Sequence, residues 1–195
     1  MIILIDNGHG KQTPGKCSPD GTFREYAWCR VVAQMVCDML QAEGYDARLL
    51  VPEEDDISLA ERCLRVNQYD KRNTILVSIH NNAAGNGSRW MNARGWSIYT
   101  TKGITEADRL AESIWKRAKQ AFKAPLTVRS YSNTNIGHDY EENFYFLMHS
   151  YCPAVLIENF FQDNRDDVAY LWTVDGKATC AEVIVDGVED YIKER

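Results

Sequence analysis

Thr74-Ile-Leu-Val-Ser-Ile-His-Asn-Asn-Ala83 passes from an apolar run straight into polar residues. The run from Thr74 to Ile79, apolar at Ile75, Leu76, Val77 and Ile79, reads as a buried strand. His80, Asn81 and Asn82 then stand where that strand ends. Two other stretches repeat the plan. Ile2 to Ile5 is a buried strand that runs into Asp6-Asn7-Gly8-His9-Gly10, and Ala154 to Ile157 is a short one that runs into Glu158-Asn159-Phe160-Phe161.

Helix-period segments separate these strands. Tyr26 to Ala42 is apolar at Val32, Met35, Val36, Met39 and Leu40 and stops before Gly44, a suitable C-terminal cap. Asp46 to Val51 is another strand, halted by Pro52. Ser58, with Glu61 three residues on, forms a capping box for a helix to about Tyr69. Asn81 to Asn92 is a loop, Trp96 to Tyr99 a strand, and Thr105 caps a helix through Phe122. Leu126 to Arg129 is a weaker strand signal, Ser130 to His138 a surface loop, and Lys177 to Lys193 the closing helix. Strands joined by helices of a dozen or more residues need crossover connections. The expected fold is therefore a single three-layer α/β domain over residues 1–195, its twisted sheet mostly parallel with helices on both faces.

Composition narrows the class. The 195 residues suit one core, and 45% hydrophobic with 26% charged residues is ordinary for a globular chain. A net charge of −6 with no basic cluster argues against nucleic acid as a partner. No segment reaches the roughly 18 apolar residues of a membrane span, so no membrane partner is expected. Met1 to Asp6 has no basic leader or cleavage site, so synthesis in the cytoplasm without a signal peptide is the expectation. The six cysteines contain no CxxC pair and predict free thiols.

In open α/β sheets, sites form at the carboxyl ends of the strands. Parallel strands would bring His9, His80 and Glu158 to one edge. Two imidazoles and a carboxylate are a donor set that zinc accepts, with one position left open for catalysis. His9 and His80 supply the imidazoles, and the glycines beside His9 would permit a tight turn. The carboxylate could come from Glu25, where the first loop enters the long helix, or from Asp20. Glu158, between apolar runs, is costly to bury without compensation and is suited to moving protons as a general base and acid. Asn82 is a candidate hydrogen-bonding residue near the metal, and His138 a candidate groove residue. His149 is read as structural, and Phe144, Tyr145 and Phe146 as core.

At these positions the sequence resembles the type 3 family of N-acetylmuramoyl-L-alanine amidases, found among bacterial autolysins and phage endolysins. The family's Asp-Pro-Gly-His-Gly is similar to Asp6 to Gly10, and its Ser-Ile-His-x-Asn-Ala to Ser78 to Ala83. Its metal glutamate aligns with Glu25. Its Pro-Ala-Val-Leu-x-Glu, then an aromatic and Asn-x-x-Asp, resembles Pro153 to Glu158, Phe161, Asn164 and Asp167. Asn7 replaces a proline, Asn81 a small residue, and Phe160 a common glycine. The resemblance implies one Zn2+ held by His9, Glu25 and His80, with Glu158 as catalytic glutamate. It also implies peptidoglycan or muropeptides as substrate, cut between N-acetylmuramic acid and L-alanine. A monomer acting on the wall after release or export is the expectation for a chain that starts without a leader. A zinc peptidase acting on stem peptides and a non-catalytic wall-binding module of the same fold are the competing readings.

Overall fold

The computed structural model describes residues 1–131 and 137–195. Its elements follow in the order β1 (Ile2–Asp6), α1 (Glu25–Ala42), β2 (Asp46–Leu49), α2 (Leu59–Val66), β3 (Thr74–Asn82), β4 (Ser97–Thr100), α3 (Glu106–Ala121), β5 (Tyr140–Glu141), α4 (Tyr145–His149), β6 (Ala154–Phe161), α5 (Arg165–Trp172) and α6 (Val174–Lys193). The strands form one sheet in the order β2-β1-β3-β6-β4-β5. The first four in that order are parallel, and β4 turns antiparallel to β6 with β5 parallel beside it. The mostly parallel sheet expected from the sequence is present. Its antiparallel edge is a feature that the periodicity did not indicate.

Alternation along the strands separates two cores. Ile3, Ile5, Val77, Ile79 and Ile157 pack with residues of α1, α3 and α6 on one face. Leu4, Leu76 and Leu156 pack on the other face with Cys63 and Val66 of α2 and Phe146 and Leu147 of α4. Near-continuous apolar runs are what a parallel sheet covered on both faces requires. Phe146 belongs to this second core, whereas Tyr145 is exposed. All six cysteines are free, and five of them are buried.

Several boundaries move. Asn81 and Asn82, expected in a loop, extend β3, because Gln162 N donates to the Asn82 carbonyl and keeps the ladder going (2.8 Å). Ser58 does accept from Glu61 N, but the Glu61 carboxylate turns to Arg65 instead of back to its cap. Thr105 makes the full capping box, with Asp108 as its partner. The α5 helix has little apolar periodicity and is capped by Asn164, whose side chain accepts from Asp166 N and Asp167 N. The asparagine and aspartate of the late motif are thus a cap and a brace. Buried Asp167 Oδ2 accepts from Phe161 N (3.0 Å) and Gly95 N (2.8 Å). Part of the Ser130 to His138 loop, 132–136, lies outside the described residues.

One local device decides the direction of side chains at the site. His80 pairs with Glu158 and Asn82 with Phe161, so β6 uses three residues where β3 uses two. The extra residue is a β-bulge, and Phe160 within it has φ of 62°. A left-handed backbone costs a non-glycine residue on the order of 1–3 kcal/mol, which accounts for the preference for glycine here. Phe160 keeps the conformation because its side chain is fully buried, with ring centroids 5.0 Å from Phe122 and 5.3 Å from Tyr170. The bulge returns Phe161 to the same face as Glu158 and His80. Phe160→Gly should therefore relax the backbone but leave a cavity. Removing a buried Phe costs about 3–5 kcal/mol, so a net loss of about 2 kcal/mol remains. The melting temperature should fall by about 4–8 °C in a thermal scan, and an unchanged or raised value would show that strain outweighs packing.

Candidate active site

The carboxyl ends of β1, β3 and β6 meet at one sheet edge. Within one residue of the end of β1 the chain turns, and His9 takes φ of 60°. The glycines beside it act differently from the expectation. Neither has a positive φ; the strained residue is the histidine itself. A Cβ on Gly8 would lie 2.4 Å from the His80 ring, and one on Gly10 2.3 Å from the Asp56 backbone. Gly8 is therefore needed so that the two imidazoles can approach, their centroids 4.8 Å apart and nearly perpendicular.

A buried network holds the turn. Asp6 pairs with Arg62 and accepts from Ser78 Oγ (2.6 Å), and Arg62 Nη2 donates to the His9 carbonyl (3.0 Å). Asn7, buried beside it, occupies the position where the related pattern has proline. Behind His80, Asn159 Nδ2 donates to its carbonyl, while Asn81 Nδ2 donates to the Asn159 carbonyl (2.6 Å). Asn81 thus ties the bulge to β3, which gives its side chain a use that a small residue could not have.

Glu25, the first residue of α1, is 1% exposed. Its Oε1 lies 3.2 Å from His9 Nε2 and 3.1 Å from His80 Nδ1, and accepts from Asn81 N at 3.0 Å. Its Oε2 accepts from Gln162 Nε2 at 3.1 Å. Burial works against the ionised carboxyl. Hydrogen bonds from His80 and His9 outweigh it and hold the group well below the usual carboxylate range. One donor atom from each of His9, Glu25 and His80 lies within 4.8 Å of the others, a set that could hold a metal ion. Asp20 is not part of it. That carboxylate is exposed and accepts from Ser18 and Thr22 within its own turn.

Glu158 stands in register with His80 on one side and Ser97 on the other. Adjacent strands are about 4.8 Å apart, so its carboxyl shares the face of His80 beside the cluster. Its Oε2 is buried with no hydrogen-bond partner among the described residues. Desolvation pushes its pKa up to about 8. The neighbouring His80 acts in the opposite direction, and the Glu25 charge adds to the rise. A carboxyl poised near neutrality is suited to accept and release protons. A cavity of about 260 Å³ opens beside His9 and His80, lined also by Asp56, Ile57, Leu59 and Arg62.

Asn82 lies on the same face, its Nδ2 3.4 Å from the Tyr99 hydroxyl and its Oδ1 accepting from Ala83 N. The structure does not bring His138 to the cluster. Its ring stacks on Trp115 of α3 at 3.6 Å, and its Nδ1 sits 2.8 Å from Glu112. His149 stacks on Tyr145 and bonds that residue's carbonyl, away from the site. Gln162 and Arg62 were missed by sequence reasoning. An isolated glutamine after an aromatic pair, or an arginine on a helix 53 positions from its carbonyl partner, leaves no spacing signal.

A family model described as N-acetylmuramoyl-L-alanine amidase matches residues 3–190. Among curated proteins, the chain is 25% identical to the N-acetylmuramoyl-L-alanine amidase AmiC of Neisseria meningitidis serogroup B, over 98% of this chain and 52% of that protein. The chain thus spans about half the length of that relative. Among solved structures, it resembles the N-acetylmuramoyl-L-alanine amidase AmiC2 of Nostoc punctiforme, with a TM-score of 0.82 and 23% identity, covering 99% of this chain and 97% of that one. It also resembles the N-acetylmuramoyl-L-alanine amidase of Clostridium difficile 630, with a TM-score of 0.79 and 26% identity over 100% and 97% of the two chains.

Proposed function

This chain belongs to the N-acetylmuramoyl-L-alanine amidase family, and we propose that it is a zinc hydrolase that cuts peptidoglycan between N-acetylmuramic acid and the first L-alanine of the stem peptide. The observation that carries this reading is the convergence of His9, Glu25 and His80 beside the Glu158 carboxyl, whose buried Oε2 has no hydrogen-bond partner among the described residues. Two imidazole nitrogens and one carboxylate oxygen fit zinc, and three protein ligands leave a position open. Zinc, when bound, supplies Lewis acidity toward the amide carbonyl and the charge that develops on it.

The remaining steps belong to the chain's own groups. Gln162 and Asn81 N keep the Glu25 carboxylate aimed between the two imidazoles. Arg62 fixes the His9 backbone, so the imidazole is presented without searching other conformers. Glu158 takes a proton from the attacking water and then returns it to the departing alanine nitrogen, as a general base and acid in turn. Asn82, at the end of β3 on the same face, would hydrogen-bond the substrate backbone. The chain would act on the wall as a monomer, and no helix among the described residues is long and apolar enough to cross a membrane.

Digestion of defined sacculi tests the proposal. Zinc-loaded protein should release stem peptides bearing new L-alanine amino termini and leave the glycan strands intact. A chelator should abolish release, and added zinc should restore it. New termini inside the stem peptide would identify a peptidase instead. Tight sacculus binding without any new terminus would identify an inert wall-binding module.

A further inference from the structure

Beside Glu158, toward the β5 edge, the sheet face that bears His80 also carries an aromatic platform with a cation on it. The Arg129 guanidinium carbon lies 5.2 Å from the Phe161 ring centroid and 5.4 Å from that of Tyr140. Tyr140 in turn stacks on Tyr99, with centroids 5.3 Å apart. The bulge at Phe160 makes this possible, because without it Phe161 would point to the opposite face. Arg129 pairs with no carboxylate among the described residues, and residues 132–136 of the adjoining loop are Ser, Asn, Thr, Asn and Ile, all uncharged. In a chain of net charge −6, seven of the other twelve arginines pair with an acid. Stacking on two rings fixes the plane of a guanidinium and leaves its N–H edges free, a geometry that suits bidentate recognition of a carboxylate.

Its position sets the reach. Arg129 N donates to the Trp96 carbonyl (2.8 Å), and the next residue, Ser97, is in register with Glu158. The backbone carrying Arg129 is thus two strand spacings from β6, but its side chain reaches back over Phe161, which the bulge places about 7 Å along the strand from Glu158 on the same face. An extended peptide covers about 3.3–3.6 Å per residue, so a chain leaving the reacting amide arrives at Arg129 after two to three residues. We propose that Arg129 is a specificity-determining residue that receives a carboxylate of the stem peptide two to three residues beyond the bond cut. This rests on the reading that the cluster cuts the muramoyl–alanine amide.

The test uses the zinc-loaded full chain and synthetic N-acetylmuramoyl-L-alanyl-γ-D-glutamyl-L-lysine in three forms: both carboxylates free, the D-glutamyl carboxylate converted to carboxamide, and both carboxylates converted. The parent protein should lose about 10–100-fold in kcat/KM between the diacid and the diamide, the range expected for a charge-assisted hydrogen bond. Most of the loss should lie in KM, and the middle compound assigns it to one residue. Arg129→Gln should cut the diacid at the parent's rate on the diamide while leaving the diamide rate unchanged, and Arg129→Lys should recover only part of the difference. Equal parent rates on all three compounds, or a uniform drop in Arg129→Gln, would overturn the inference alone. A zinc-loaded parent that cuts none of the three would overturn the amidase reading and this inference with it.

Discussion

A Glu158→Gln protein is expected to bind one zinc, to fold at least as stably as the parent, and to lose about 10³-fold in the rate of stem-peptide release. The rate term follows from the role proposed for this group, since positioned proton transfer contributes typically 10²–10⁴-fold. The stability term follows from burial. Glu158 Oε2 has no partner among the described residues, and desolvation raises its pKa to about 8. A neutral amide of the same shape avoids the cost of holding a charge there. In the metal-free protein the sign can be worked through. The folded carboxyl keeps a proton up to about pH 8, whereas the unfolded one releases it near 4.5. Between these values the native state binds more protons, so stability falls as pH rises. Thermal scans in chelator from pH 5 to 8 should show this decline in the parent and a flatter profile in Glu158→Gln. Substantial retained hydrolysis by the variant would remove Glu158 from the proton path.

Much of this arrangement is legible in the sequence, for reasons that differ from residue to residue. His80 and Glu158 announce themselves because each directly follows an apolar run, and a polar group at the end of a buried strand has to face the sheet edge. His9 reads the same way. Glu25, at the entry to the long helix, has Asp20 as its rival on residue pattern; the structure brings Glu25 to the two imidazoles as the first residue of α1, while Asp20 is spent on its own turn. The role of the glycines was misread. Flexibility at positions 8 and 10 was expected, whereas Gly8 is needed for the approach of the His80 ring 72 positions away, which no local rule can report. The same holds for Asn81 and Asn82. Their side chains suggested a loop, yet the β6 ladder, formed by residues 78 or more positions later, keeps them extended. Phe160 illustrates the limit most directly. Its oddity was visible as a departure from a common glycine, but the bulge that explains it exists only once β3 and β6 are paired.

Glu25→Ala should be the more damaging change, because the same carboxylate is required by both the metal and the fold. Its two oxygens serve His9, His80, Asn81 N and Gln162 Nε2, all at 3.0 to 3.2 Å in a buried setting. Alanine leaves the Asn81 amide and the Gln162 side chain without an acceptor. A buried donor deprived of its partner costs about 1–3 kcal/mol, so a loss of about 3 kcal/mol and a fall of about 6–12 °C in melting temperature are expected. Zinc stoichiometry should drop toward zero and hydrolysis to background. Glu25→Gln separates the two functions. Its amide oxygen can still accept from Asn81 N, so most of the stability should return, but the charge that completes the donor set is gone and metal affinity should remain low. The acid side of the stability profile gives an independent check. The folded carboxyl stays ionised well below its ordinary range, because the His80 and His9 contacts overcome the cost of burial. Stability from this group is therefore complete above about pH 4.5 and lost as pH falls further, a dependence that Glu25→Ala and Glu25→Gln should both weaken. If Glu25→Ala retained one tightly bound zinc per chain, Glu25 would be a brace for the two histidines and the third ligand would have to be sought elsewhere.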